Sequence, residues 1–112
     1  MINYVEKIWG SEEWLVNNDK YCAKYLNLKE NTQCSLHYHI KKDETFYILE
    51  GTILLELGKD GEVTLEKDSQ WRILPNQVHR FRALTNTAKI LEVSTTHADT
   101  DTVRIEDSRT DL

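Results

Sequence analysis

The stretch CSLHYHIKKDETFYILEG, Cys34 to Gly51, places two histidines and a glutamate within eight residues of a run that otherwise has the composition of sheet. Strand side chains alternate between faces, so His37 and His39 point the same way, with Cβ atoms about 7 Å apart at a rise of ~3.3 Å per residue. Two imidazoles so placed can converge on one ion, each reaching a nitrogen–metal distance of about 2.1 Å. Glu44 follows a turn expected at Lys41-Lys42-Asp43 and opens the next strand, where its carboxylate can return to the same point. Phe46 and Ile48 share that face and would keep bulk water away. A fourth ligand must come from elsewhere in the sheet. His79, after the turn PNQV, is the well-placed candidate, whereas His97 lies in the tail.

Several elements must position these groups. Ser11 has the character of a helix cap, but Asn17-Asn18-Asp19 follows too soon for more than a helical turn. From Tyr21 onward the chain reads as strand after strand: Tyr21 to Leu28, then CSLHYHI, ETFYILE, GTILLELG, EVTLEKD, QWRILP, HRFRAL and AKILEVST. Turn residues separate them, and GKDGE is the clearest hairpin. Short strands at this spacing predict an all-β, antiparallel sandwich or barrel. The organisation expected is a single domain over 1–112, with an N-terminal arm at 1–20, a barrel at 21–96 and a polar C-terminal tail at 97–112.

With 112 residues, 39% of them hydrophobic, the chain is long enough to bury one core. Its formal charge of -5 provides no broad positive field. Nucleic acid and anionic membrane surfaces are therefore not expected partners. The apolar runs fall short of a membrane span and Met1 is followed by polar residues, so a cytoplasmic location is expected. Cys22 and Cys34 lack a CxxC spacing and are read as buried free thiols.

The segment HYHIKKDETFYILEG resembles the first motif of the cupin superfamily, HxH followed by Glu and then Gly, at every fixed position. ILPNQVHRF is similar to the second motif, with Asn76 in the usual glycine place, a substitution that tolerates positive φ. The lead-in residues Lys7, Trp9, Gly10, Tyr21 and Lys24, and DTVRIED near the end, resemble type II phosphomannose-isomerase-like cupins. The resemblance implies a small antiparallel β-barrel or jelly roll. It also implies one divalent transition metal (Zn, Mn, Fe, Co or Ni) held by His37, His39, Glu44 and His79.

The activity so implied is aldose–ketose isomerisation of a sugar or sugar phosphate, mannose-6-phosphate-isomerase-like. A metal stabilises the enediolate while a base carries the proton between neighbouring carbons. Lys42 takes the lysine place of HxHxxKxE, a spacing shared with lyxose-isomerase-like cupins. It is the expected base, its pKa lowered by burial beside a metal. Glu56 and Glu92 are the alternative bases. Arg72, expected to enter the cavity and grip phosphate or carboxylate, and Glu56 are assigned to substrate binding. Arg80 and Arg82 should face away from His79, and Trp71, Tyr38 and Tyr47 should lie outside. The apolar outer face of FYILE and TILLEL predicts a homodimer, separable by Leu55→Lys. A non-catalytic sugar-binding module and an iron dioxygenase are the competing functions.

Overall fold

The computed structural model describes residues 3–112. The strands are β1 (Asn3–Lys7), β2 (Gly10–Asn17), β3 (Cys22–Lys29), β4 (Leu36–His39), β5 (Glu44–Glu50), β6 (Ile53–Glu56), β7 (Glu62–Leu65), β8 (Gln70–Ile73), β9 (Arg80–Ala83), β10 (Thr87–Ser94) and β11 (Thr102–Glu106). Only two 3-10 turns, Gly58–Asp60 and Asp99–Asp101, interrupt this all-β chain among the described residues. No helix among them is long and apolar enough to cross a membrane.

One sheet runs in the order β1-β2-β3-β10-β5-β8, all antiparallel. The smaller sheets, β7-β6-β9 and β11-β4, are joined by the bridges His37↔His79 and Gln33↔Arg82 into a second wall. Alternation builds the core between the walls: Phe46 and Ile48 of β5, Ile53 and Leu55 of β6, Ile73, Phe81 and Ile90 are all buried. Gly51 turns the chain from β5 to β6 at a φ of 74°, where a Cβ would lie 2.4 Å from the Thr87 carbonyl oxygen. Glycine is required there.

Three expectations are corrected. Ser11 caps no helix; it sits in β2, paired with Glu6 and Asn27, because the tertiary pairing of two long strands outweighs a local cap signal. The tail is not merely a surface arm, since β11 pairs with β4 and thereby extends the site wall. Leu55 is fully buried in the core. The Leu55→Lys substitution would therefore break the fold instead of separating two copies. Cys22 and Cys34 are both free and buried, and burial pushes the Cys34 thiol up to about 12.

Candidate metal centre and its cavity

The second wall brings the histidines together. His37 and His39 project from one face of β4, and His79 arrives just before β9, where it exchanges backbone hydrogen bonds with His37 at 2.9 and 3.1 Å. The turn that delivers it is set by Asn76, at a φ of 69°, whose amide donates to the His39 carbonyl at 2.7 Å. One ligand atom from each of the three rings lies within 4.8 Å of the others.

Ring orientation is fixed from behind. His37 Nδ1 donates to the Ser35 carbonyl and His79 Nδ1 to the Gln77 carbonyl, both at 2.8 Å. A carbonyl only accepts, so in each neutral ring Nε2 is left with a lone pair. His39 Nδ1 pairs with Thr102 Oγ1 on β11 at 3.1 Å. Burial, with the neighbouring His79 adding to it, lowers His37 to about 3, and burial lowers His39 to about 4. Both rings are thus neutral near pH 7, the form that ligates metals.

Glu44, at the start of β5, places Oε1 3.0 Å from His79 Nε2 and Oε2 3.7 Å from His39 Nε2. His79 Nε2 is nevertheless buried without a hydrogen-bond partner. A nitrogen lone pair facing a carboxylate oxygen at this distance needs a cation to reconcile them, and two ligands of one ion at about 2.1 Å each sit this close. The donor set fits a divalent ion. Burial would raise Glu44, but the Lys42 ammonium at 3.2 Å opposes it, and the carboxyl lies below its ordinary range.

Behind Glu44 stands Lys42, 3% exposed. Its Nζ has three partners: Glu92 Oε2 at 2.6 Å, Glu44 Oε2 at 3.2 Å and His97 Nδ1 at 3.1 Å. Burial pulls Lys42 down, yet the flanking Glu92 and Glu44 carboxylates overcome it, so its pKa lies above the ordinary value. This is opposite to the direction expected for a neutral base. Glu92 shifts the other way for a carboxylate, pushed up by burial and by the charge of Glu44.

The C-terminal segment braces this arrangement. The Asp101 carboxylate accepts the amides of Lys41 and Lys42 at 2.9 and 3.0 Å. His97 Nε2 donates to Asp99 at 2.8 Å, and its backbone is clamped by Asn17 through two hydrogen bonds. A cavity of about 870 Å³ opens onto His37, His39, Lys42, Glu44, Glu92 and His97, with Trp14, Lys24 and Arg104 further along its lining.

Arg72 and Glu56 are not part of it. Arg72 is exposed and forms a two-point ion pair with Asp43, because its strand parity turns it to the outer face of the large sheet. Glu56 pairs with Arg80 at the far end of β6. His97 and Lys24 were assigned no site role from the sequence, although Lys24 belongs to the lead-in pattern of the resemblance. His97 lies outside any strand, and the inward parity of Lys24 shows only once Leu26 and Leu28 are known to be buried.

A cupin domain model matches residues 24–94, more than half of the chain. With the fold and the histidine cluster in place, the chain belongs to the cupin superfamily. Similar solved structures include KdgF from Halomonas sp., at 13% identity over 88% of this chain and 89% of that one, with a TM-score of 0.78. Streptomyces PAC13, solved with uridine, is 9% identical over 95% of this chain and 85% of that one, at a TM-score of 0.81. Oxalate decarboxylase from Bacillus subtilis gives 0.82 at 17% identity over 93% of this chain, which spans only 30% of that longer one. At these identities the likeness shows the fold. No curated protein sequence matches the chain.

Proposed function

We propose that this cupin is a metal-dependent enzyme that moves a proton between neighbouring carbons of a small hydroxy-carbonyl compound, an aldose–ketose isomerase acting on a sugar or sugar phosphate. One observation carries the reading: the buried carboxylate of Glu92 lines the same cavity as His37, His39 and Glu44, beside the point where the free nitrogens of His37, His39 and His79 converge.

His37, His39, His79 and Glu44 would hold the ion. When bound, it supplies a Lewis acid that draws charge onto the oxygens of the substrate. Glu92 takes the proton from the hydroxyl-bearing carbon and returns it to the neighbouring carbonyl carbon, while the hydroxyl proton passes to the former carbonyl oxygen. A pKa above the ordinary carboxylate range suits a group that must both take a proton and give it back. Lys42 stays charged, holds Glu92 and Glu44 apart and places the Glu92 carboxylate at a fixed point. Phe46 and Phe81 line the inner end of the cavity and exclude water. The sequence resemblance to phosphomannose-isomerase-like cupins supports the same reaction class.

The assay is deuterium incorporation from D2O into a panel of pentoses, hexoses, their phosphates and their acids. Isomerisation predicts exchange and product without oxygen uptake. Oxygen consumption with ferrous ion would assign a dioxygenase, and saturable binding without exchange would assign a binding module.

The protein is inferred to form a homodimer through the outer face of the large sheet. Tyr25, Leu91 and Tyr47 form one outward row by register, and Ala23 and Val93 lie beside it, Val93 being 43% exposed. A sheet face this apolar is stabilised by a second copy.

A further inference from the structure

The cavity holds a second feature that the proton chemistry leaves unused. Register aligns Trp14, Lys24, Glu92 and Phe46 in one row across β2, β3, β10 and β5. Lys24 sits on the inward face of β3 between Cys22 and Leu26 and is 2% exposed. Its Nζ lies 4.0 Å from the centroid of the Trp14 ring and 3.6 Å from Glu12 Oε1, beyond hydrogen-bond reach. That oxygen already accepts the Trp14 indole N–H at 2.8 Å. None of the described residues accepts a hydrogen bond from the ammonium. A buried cation with three donors facing a cavity is stabilised by an acceptor that arrives with the ligand.

We propose that Lys24 anchors a carboxylate of the substrate, which makes that substrate a sugar acid or a similar small hydroxy acid. Strands lie about 4.8 Å apart, so β3 and the Glu44 and Phe46 backbone of β5 are two spacings, roughly 10 Å, from each other. The strand between them, β10, carries Glu92. A small molecule held by its acid group at Lys24, with its hydroxy-carbonyl end toward the histidines, therefore lies across the proton-carrying carboxylate. The Trp14 ring, positioned by Glu12 and covered on one face by Lys24, walls the anchor end. A carboxylate fits better than a phosphate. One ammonium has donors enough for a single carboxylate, whereas phosphate is generally gripped by arginine forks or by several donors. Arg72, Arg80 and Arg82 lie outside the cavity, and Arg104, which lines it, has a 60% exposed side chain paired with Asp107 at 3.5 Å. The inference rests on the isomerase reading only for the end of the substrate that faces the metal.

The test titrates zinc-loaded protein with D-glucuronate, D-glucose and D-glucose 6-phosphate by NMR, alongside Lys24→Gln and Lys24→Arg. Glucuronate is expected to bind at least about tenfold more tightly than glucose, from one charge-assisted hydrogen bond to a desolvated ammonium. That advantage should fall below about twofold in Lys24→Gln, survive in Lys24→Arg, and accompany a shift of the Lys24 Nζ signal in the unaltered protein. Equal binding of glucuronate and glucose, an advantage that survives Lys24→Gln, or tighter binding of glucose 6-phosphate would overturn the proposal. Should Lys24→Gln not fold, the Nζ signal decides: one unmoved by saturating glucuronate overturns it. Zinc content measured in parallel separates the two ideas. Protein without zinc contradicts the metal centre, while the comparison of glucuronate with glucose still decides the anchor.

Discussion

His97 Nδ1 lies 3.1 Å from Lys42 Nζ, although 55 residues separate the two in the chain. Of the donors of this buried ammonium, one meets His97 in a hydrogen bond, and Glu44 and Glu92 stand beside it as ion pairs at 3.2 and 2.6 Å. Replacing His97 with Phe leaves one of those donors without an acceptor. The expected loss is about 1–3 kcal/mol of stability, read from urea unfolding. An unchanged midpoint would show that the contact does not hold Lys42.

Glu92→Gln keeps the shape of the side chain and removes its ability to accept a proton. Solvent-deuterium exchange into substrate should fall by at least about 10²-fold, with metal content unchanged. A variant that exchanges at the original rate would remove Glu92 from the chemistry.

Thr102→Val deletes the hydroxyl that pairs with His39 Nδ1. Groups that orient a metal-bound histidine are worth about 10–100-fold in affinity. Competition with a chelating dye should show a drop of that size, whereas equal affinity would mean that His39 is oriented without β11.

In metal-free protein, His37 and His39 titrate at about 3 and about 4, against an ordinary 6.5. Unfolded chains therefore bind more protons below pH 6.5. The contribution of the neutral rings is complete above that pH and is lost as the pH falls toward 3–4. Glu92, with its raised pKa, works in the opposite sense. Glu92→Gln removes that opposition, and because burial also lowers His97 the assay reads the buried rings together; that chelator-treated variant should be less resistant to urea at pH 5 than at pH 7. Equal or greater resistance at pH 5 would contradict the burial of the rings.

Leu55→Lys places an unpaired charge in the centre of the core and should leave no folded protein at all. The dimer is tested on the outer face instead. Val93→Glu should give folded monomers by sedimentation, and dimers that survive it would place the interface elsewhere.

The first cupin motif was legible because its chemistry is contiguous. Two histidines two apart and a glutamate beyond a turn land on one face by the period of a strand alone. The barrel was legible for the same reason, from short alternating runs. Lys24 was not, because its neighbours Ala23 and Tyr25 suggest the opposite parity, and only the burial of Leu26 and Leu28 shows which face is inward. Arg72 misled through position: it stands next to the second motif in sequence, but on the outer face of β8. The protonation of Lys42 depends on Glu92, brought to it by pairing between β5 and β10 that no local pattern announces. His97 owes its place to Asn17, eighty residues away.

The central claim is that three imidazoles and the Glu44 carboxylate gather around one ion. Its most direct measurement is the metal content of protein loaded with zinc and desalted, compared with a variant carrying His37→Ala, His39→Ala and His79→Ala. One zinc per chain, lost in the triple variant while the fold persists, is the predicted result. Zinc-free original protein, or a triple variant that retains its zinc, would contradict the account.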